Sequence, residues 1–173
     1  MQNSKRTPFV KRLIKAAKLD ADLYEEVEAD TKALNQALLV VVLCSVATGI
    51  GVSGRIGPRL ILSVVAAGIV GWGIWALITF VIGARWLRAP GTLTNLGEVL
   101  RTTGFATAPG ILAVLGYAPA FTGFIVAVTQ IWILAAFVVA IRQAFDYRGT
   151  WRAIAVCSIG GFVYAGLIWA LTL

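Results

Sequence analysis

The chain has 173 residues with a mean hydropathy of +0.86, and only 13% of them are charged, whereas a soluble domain carries about 25%. This composition excludes an ordinary water-soluble domain. The chain has no histidine, the side chain most used for acid–base catalysis and metal binding near neutral pH, and no common catalytic motif, so we expect no enzyme, cofactor or metal site. We assign the net charge of +7 to membrane topology and anionic lipid rather than to nucleic acid.

Residues 4–19 form a basic segment with six Lys or Arg and no acid, and their apolar residues recur at helical spacing. This pattern predicts a basic amphipathic helix that lies on an anionic membrane surface. A solvated basic tail that only sets the topology is the alternative. The candidate lipid-facing cations are Lys5, Arg6, Lys11, Arg12, Lys15 and Lys18.

Residues 20–30 reverse the sign, with six acids and no base. Asp22 followed by Glu25 predicts a helix N-cap with a carboxylate three residues later. The acidic block can fold back on the basic segment, meet a basic partner, or simply be a solvated helix start. We take it as a candidate partner-docking segment within a cytoplasmic N-terminal region of residues 1–32. Its candidate contacts are Asp22, Leu23, Tyr24, Glu25 and Glu26.

Long segments without charge make up most of the remaining chain. An α-helix needs about 20 apolar residues to cross the hydrocarbon core, so the segment of 40 residues at 102–141 fits two spans. The sequence predicts an all-α polytopic transmembrane helix bundle of about five spans in residues 33–173. The spans are placed at about 34–52, 60–84, 102–116, 120–141 and 153–173.

Local signals shape the third span. Asn95 with Glu98 three residues later predicts a capped helix start, and Pro109 is expected to break or kink the helix that follows. Thr107, Pro109 and Gln130 form a candidate intramembrane polar site, as a pore wall or as packing contacts between helices. Cys44 and Cys157 fit no metal motif and are expected to be small buried residues.

The distribution of Lys and Arg predicts the orientation. Thirteen of these residues lie in segments on the same side of the membrane as the N-terminus, and only two, Arg55 and Arg59, lie on the other side. The positive-inside rule then predicts a multi-pass protein of the plasma (inner) membrane with a cytoplasmic N-terminus and the C-terminus outside.

Three stretches of the chain resemble the Yip1 domain family, over roughly residues 20–173. Asp22-Leu23-Tyr24-Glu25 is similar to the DLYGP-type motif of eukaryotic members, although Glu25-Glu26 stand in place of Gly-Pro. Residues 91–96 and Gly104-Phe105-Ala106 are similar to the family's Gly-rich loop and "GYA-P" entry, and Pro109 matches the proline of that entry.

The resemblance implies an integral membrane adapter or organiser without chemistry of its own. Eukaryotic members bind small GTPases and each other. The chain lacks a long Pro-rich N-terminal region, and in this it is similar to the shorter prokaryotic members. We therefore expect a non-enzymatic adapter or accessory subunit that docks other membrane proteins, or copies of itself, in a bilayer with anionic lipid. A small oligomeric transporter or channel and a lipid-organising membrane protein are the alternatives.

Overall fold

A computed structural model describes residues 7–53, 58–87, 94–118 and 120–171, and these ranges contain helices and no β-strand. The predicted all-α class is confirmed. The helices are α1 (Phe9–Ala17), α2 (Ala21–Ala29), α3 (Ala33–Ser53), α4 (Pro58–Arg85), α5 (Leu96–Ala106), the 3-10 helix η1 (Ala108–Tyr117), α6 (Thr122–Ala144) and α7 (Thr150–Leu171).

Five helical segments in the described ranges are long and apolar enough to cross a membrane, as predicted. The third differs from its predicted bounds because α5 begins in the loop and runs directly into the bundle. Together α5 and η1 are about 36 Å long, enough for a hydrocarbon core of about 30 Å. The segments are Ala33–Gly51, Ile61–Arg85, Leu96–Tyr117, Thr122–Ala144 and Thr150–Leu167.

The third span is the core of the bundle. Its apolar window is 72% buried, against 6% to 39% for the other four spans, and it packs against α3 and α6. A Cβ placed on Gly104 would lie 2.7 Å from the Cβ of Ala37. Glycine is therefore needed at this position for the backbones of α3 and α5 to approach closely.

Pro109 interrupts the third span as predicted. Helix α5 ends at Ala106, Thr107 is its C-cap, and Pro109 lies in the first turn of η1. Proline has no amide hydrogen and cannot continue an α-helical ladder. The narrower 3-10 helix then lies against the end of α3, where a Cβ on Gly51 would overlap the carbonyl oxygen of Ala113.

Helices α1 and α2 form an antiparallel hairpin, in which Leu19 makes the turn with a positive φ of 61°. The hairpin packs against α5, η1 and α6. We call the end of the bundle at which α3, α5 and α7 begin the hairpin end, and the other the opposite end. Thr94 Oγ1, just before α5, donates to the carbonyl oxygen of Ala144 at 2.7 Å and ties these elements together.

Candidate docking face and intramembrane cavity

Arg12 holds the hairpin together. Its side chain is only 1% exposed, and Nη2 lies 2.8 Å from Oε1 of Glu26 and 3.0 Å from Oδ2 of Asp30. Its Nη1 donates to Oε1 of Gln36 at 2.8 Å, and the hydroxyl of Thr7 donates to Glu26 at 2.8 Å. The acidic block thus folds back on the basic segment, which was one of the interpretations of its charge.

The pKa values of this pair follow from the same contacts. Burial acts against the charged guanidinium of Arg12, but the hydrogen bonds to Glu26 and Asp30 outweigh it and raise its pKa above the ordinary value. Burial likewise acts against a charged Glu26, while its bonds with Arg12 and Thr7 lower its pKa below the ordinary value. Both groups are therefore held in their charged forms.

Side chains donate hydrogen bonds to the C-terminal carbonyls of both hairpin helices. Arg101 Nε donates to the carbonyl oxygen of Val27 at 3.0 Å, and the same guanidinium contacts the carbonyl of Glu28. Trp132 Nε1, from α6, donates to the carbonyl oxygen of Ala17 at 2.8 Å. The last carbonyls of a helix have no partner within it and carry partial negative charge. The spans therefore hold the hairpin in a fixed position.

The structure corrects part of the predicted docking segment. Leu23 and Tyr24 are fully buried between the hairpin and the spans, so they pack in the core and cannot form a docking surface. Glu26 is engaged by Arg12. Asp22 and Glu25 do remain exposed, and Oε1 of Glu25 accepts from Nε2 of Gln143 at 2.8 Å.

The N-cap of α2 is also corrected, from Asp22 to Asp20. The Oδ1 atom of Asp20 accepts from the backbone N–H of Leu23 at 3.3 Å. Asp22 instead lies in the first turn of the helix, where its charge is favourable for the helix dipole.

Among the predicted lipid-facing cations that the structure describes, some are exposed and one is buried. Arg12 is buried in the ion pair, so its assignment to the membrane surface was wrong. Lys11 and Lys18 are exposed, and Lys15 lies 3.4 Å from Asp20. Lys5 and Arg6 lie outside the described residues, as do Arg55 and residues 91–93 of the predicted family stretch.

An exposed apolar strip lies on α1, next to exposed lysines. Val10 is 64% exposed and Ile14 is 51% exposed, whereas Phe9, Leu13 and Ala16 turn toward the core of the hairpin. Helix α1 therefore has an inner apolar face for the bundle and an outer apolar face flanked by cations, which suits the boundary between headgroups and acyl chains.

Four carboxylates gather at the hairpin end, and we call Glu25, Glu28, Glu98 and Asp146 the acidic patch. The pKa of Glu28 is raised to about 7, mainly by burial and also by the charges of Asp146, Glu98 and Glu25, while the charge of Arg101 acts in the opposite direction. The predicted cap is confirmed, because Asn95 and Glu98 form a reciprocal capping box. Sequence reasoning missed Glu28, Asp146 and Arg101; a single cation inside the apolar pattern of α5 was the available signal for Arg101.

A cavity of about 380 Å³, open on one side, lies among the helices of the bundle. Thr107 and Gln130 of the predicted intramembrane site both line it, whereas Pro109 is not among its lining residues. Thr107 is satisfied within its own helix, because its hydroxyl donates to the carbonyl oxygen of Gly104 at 2.7 Å. The lining residues are Val41, Cys44, Ser45, Thr48, Val64, Gly68, Gly71, Trp72, Trp75, Thr107, Gln130, Ile133, Leu134, Phe137 and Tyr164.

Four apolar spans around a fifth that is largely buried, with an ion-paired hairpin packed on one end, define a multi-pass α-helical membrane protein. The family model of the Yip1 domain matches residues 21–170. The chain belongs to the Yip1 domain family, which confirms the resemblance seen in its local stretches. No curated protein and no solved structure gives a significant match.

Proposed function

We propose that this protein is a non-enzymatic adapter or accessory subunit of the plasma (inner) membrane, with its hairpin end in the cytoplasm and its C-terminus outside. The observation that carries the proposal is the hairpin tied to the spans and to itself by hydrogen bonds of Arg12, Arg101 and Trp132. Such a platform offers a pre-formed surface, and a partner that binds it loses little free energy in ordering it.

The charge of that surface favours a basic partner segment on another membrane protein. Asp22 and Glu25 are exposed on α2, and the raised pKa of Glu28 reflects burial together with crowding of negative charge in the acidic patch. A cationic segment would relieve this repulsion and would be steered by the negative potential. The partner's Lys or Arg would thus contact the hairpin end beside α2 and α6.

Anionic lipid is the second proposed contact. The outer face of α1 carries Val10 and Ile14, and the exposed Lys11 and Lys18 lie next to them. Each cation near an anionic leaflet contributes about 1 kcal/mol of attraction, while the apolar strip is buried among the acyl chains. This contact would hold the hairpin end at the level of the headgroups.

Two variants of matched charge change test the docking surface. We expect Asp22→Asn with Glu25→Gln to slow partner association and flatten its salt dependence, because it removes the two exposed acids of α2 but leaves Arg12 paired. Lys11→Gln with Lys18→Gln neutralises two exposed cations on α1 and should leave partner recovery unchanged. The measurement is co-purification per folded protein across a salt series. Equal recovery and salt slope in wild type and the acid variant would contradict the docking proposal.

A fusion at Leu173 tests the orientation. Alkaline phosphatase fused there should be active and GFP should stay dark in a bacterial host, because both report an outside C-terminus. A fluorescent GFP fusion with inactive phosphatase would place the C-terminus in the cytoplasm and contradict the proposed topology.

A further inference from the structure

The 380 Å³ cavity lies at the middle of the membrane-spanning region and takes no part in the docking face. Cys44 in α3, Trp72 in α4 and Ile133 in α6 each line it, and each stands within two residues of the middle of its helix. Its volume is within the range of about 300–1,000 Å³ that small-molecule sites occupy. Any ligand there would enter from the bilayer rather than from water.

One wall of the cavity is aromatic. Trp75 stacks on Phe137 with ring centroids 5.7 Å apart and meets Tyr164 edge-on at 6.1 Å. Gly71 makes room for this arrangement, because a Cβ at that position would lie 2.6 Å from the hydroxyl oxygen of Tyr164. Flat ring faces of this kind favour a planar ligand that can stack or pack edge-on against them.

The other side brings polar groups to the apolar interior. Ser45 and Thr48 lie on one face of α3, and Gln130 faces them from α6. Nε1 of Trp75 is buried and has no hydrogen-bond partner among the described residues, whereas the Gln130 side chain is exposed and its amide makes no hydrogen bond with another described residue. A buried donor without an acceptor costs about 1–3 kcal/mol, and the bilayer interior offers no water to satisfy it.

The charge and shape of the cavities narrow the class of ligand further. None of the described lining residues is charged, so an ionised headgroup would remain unpaired at the bilayer centre, which is costly. A second cavity of about 480 Å³ shares Trp75 and Leu134 with the first, and Val138, Ile154 and Phe162 make much of its wall apolar. A chamber with hydrogen-bond donors thus adjoins a space suited to an apolar chain.

We propose that the two cavities bind a neutral isoprenoid quinone, with its ring in the first cavity and the start of its tail in the second. The ring packs against the aromatic wall, and its carbonyl oxygens accept hydrogen bonds from donors such as Nε1 of Trp75 and the Gln130 amide. A diacylglycerol is neutral but has no ring for that wall, and a phospholipid carries a charge that the site does not pair.

Native mass spectrometry of the full-length protein in detergent, with decylubiquinone as the probe, tests this assignment. We expect one bound probe per chain. Thr48→Phe fills the chamber and should weaken binding at least about tenfold. Ile131→Phe adds an aromatic ring on the 68% exposed outer side of α6 and should leave the binding within about twofold of wild type.

A second variant keeps the test decisive if Thr48→Phe does not fold. Gln130→Leu preserves the size of the side chain but removes the amide, and should weaken decylubiquinone binding by about three- to tenfold, as loss of one hydrogen bond does. Equal binding by wild type and Gln130→Leu, or binding without a fixed stoichiometry, would overturn the proposal. Dioleoylglycerol bound as tightly as decylubiquinone would overturn it in favour of a glycerolipid site.

Discussion

The two ends of the bundle are held together by different forces. At the hairpin end, buried polar contacts fix the structure: Arg12 joins α1 to α2 and α3, and Arg101 joins α5 to the end of α2. At the opposite end, backbones lie in direct contact, as where Gly51 of α3 meets the carbonyl of Ala113 in η1. Thr122 adds a hydroxyl bond to the carbonyl of Gly116 there.

This difference has a physical origin. Helices in a membrane gain nothing from burying apolar surface against each other, since lipid is equally apolar, so they associate through close packing and local hydrogen bonds. The hairpin end carries side chains of both charge signs, and burial strengthens the attraction between them. One end should therefore be sensitive to loss of a charge partner, and the other to added volume.

The largest expected effect is at the hairpin end. Arg12→Met leaves the carboxylates of Glu26 and Asp30 without their shared guanidinium and should lower the free energy of unfolding by about 3 kcal/mol. Thermal unfolding in detergent measures the change. Lys11→Met, at the exposed neighbouring position, is the control and should be nearly neutral. Equal destabilisation by the two variants would show that the ion pair does not hold the hairpin.

The same glycine-to-alanine substitution should have opposite effects on stability at Gly51, at the opposite end of the bundle, and at Gly73, near the middle of α4. Gly51→Ala forces a Cβ against the Ala113 carbonyl and should cost about 1–3 kcal/mol of unfolding free energy, as overpacking does. Gly73→Ala meets nothing within 4 Å and should stabilise its helix by up to about 1 kcal/mol. Unfolding of both variants in one detergent gives the comparison, and a harmless Gly51→Ala would contradict close packing as the organising force there.

The features that sequence predicted correctly are those set by neighbouring residues. Long segments without charge define the spans, and the two partners of the Asn95–Glu98 box are only three positions apart. The burial of Arg12 depends on Gln36 and Asp30, 24 and 18 residues away. Helical periodicity alone could not distinguish a cation facing lipid from one facing a second helix.

Other parts of the site were only partly predictable for similar reasons. Asp20 and Asp22 are both suitable caps by residue type, and the turn at Leu19 decides between them. Thr107 and Gln130 were identified because they are polar residues inside apolar spans. Trp75 and Tyr164 were not, because the cavity arises where separate helices meet and no periodic pattern in one helix records it.

A pH dependence should sharpen the picture of the acidic patch. The pKa of Glu28 is raised from 4.5 to about 7 in the folded protein. Between these two pH values, the folded state therefore binds a proton that the unfolded state has lost. Glu28 therefore contributes stability that is fully present below pH 4.5 and is lost as the pH rises to about 7.

The difference in unfolding free energy between wild type and Glu28→Gln, followed over this interval, measures the effect. We expect wild type to lose stability relative to Glu28→Gln as the pH rises. Asp146→Asn should narrow the interval, since the Asp146 charge helps to raise the pKa of Glu28, and asparagine tolerates the positive φ of 49° at this position. A difference that does not vary with pH would contradict the raised pKa.

The smallest expected effect is at the start of α5. Asn95→Ala removes the side-chain acceptor for the N–H of Glu98, at 3.0 Å, and the amide that contacts its carboxylate. Loss of such a cap costs about 0.5–2 kcal/mol. Asn95→Asp keeps the acceptor but adds a negative charge beside Glu98 in the acidic patch, so it should recover stability at low pH and lose that recovery as the pH rises. Thermal unfolding of both variants at two pH values separates the capping bond from the charge. If Asn95→Asp matched wild type at both pH values, the crowding of negative charge at this end of the bundle would be weaker than the pKa of Glu28 implies.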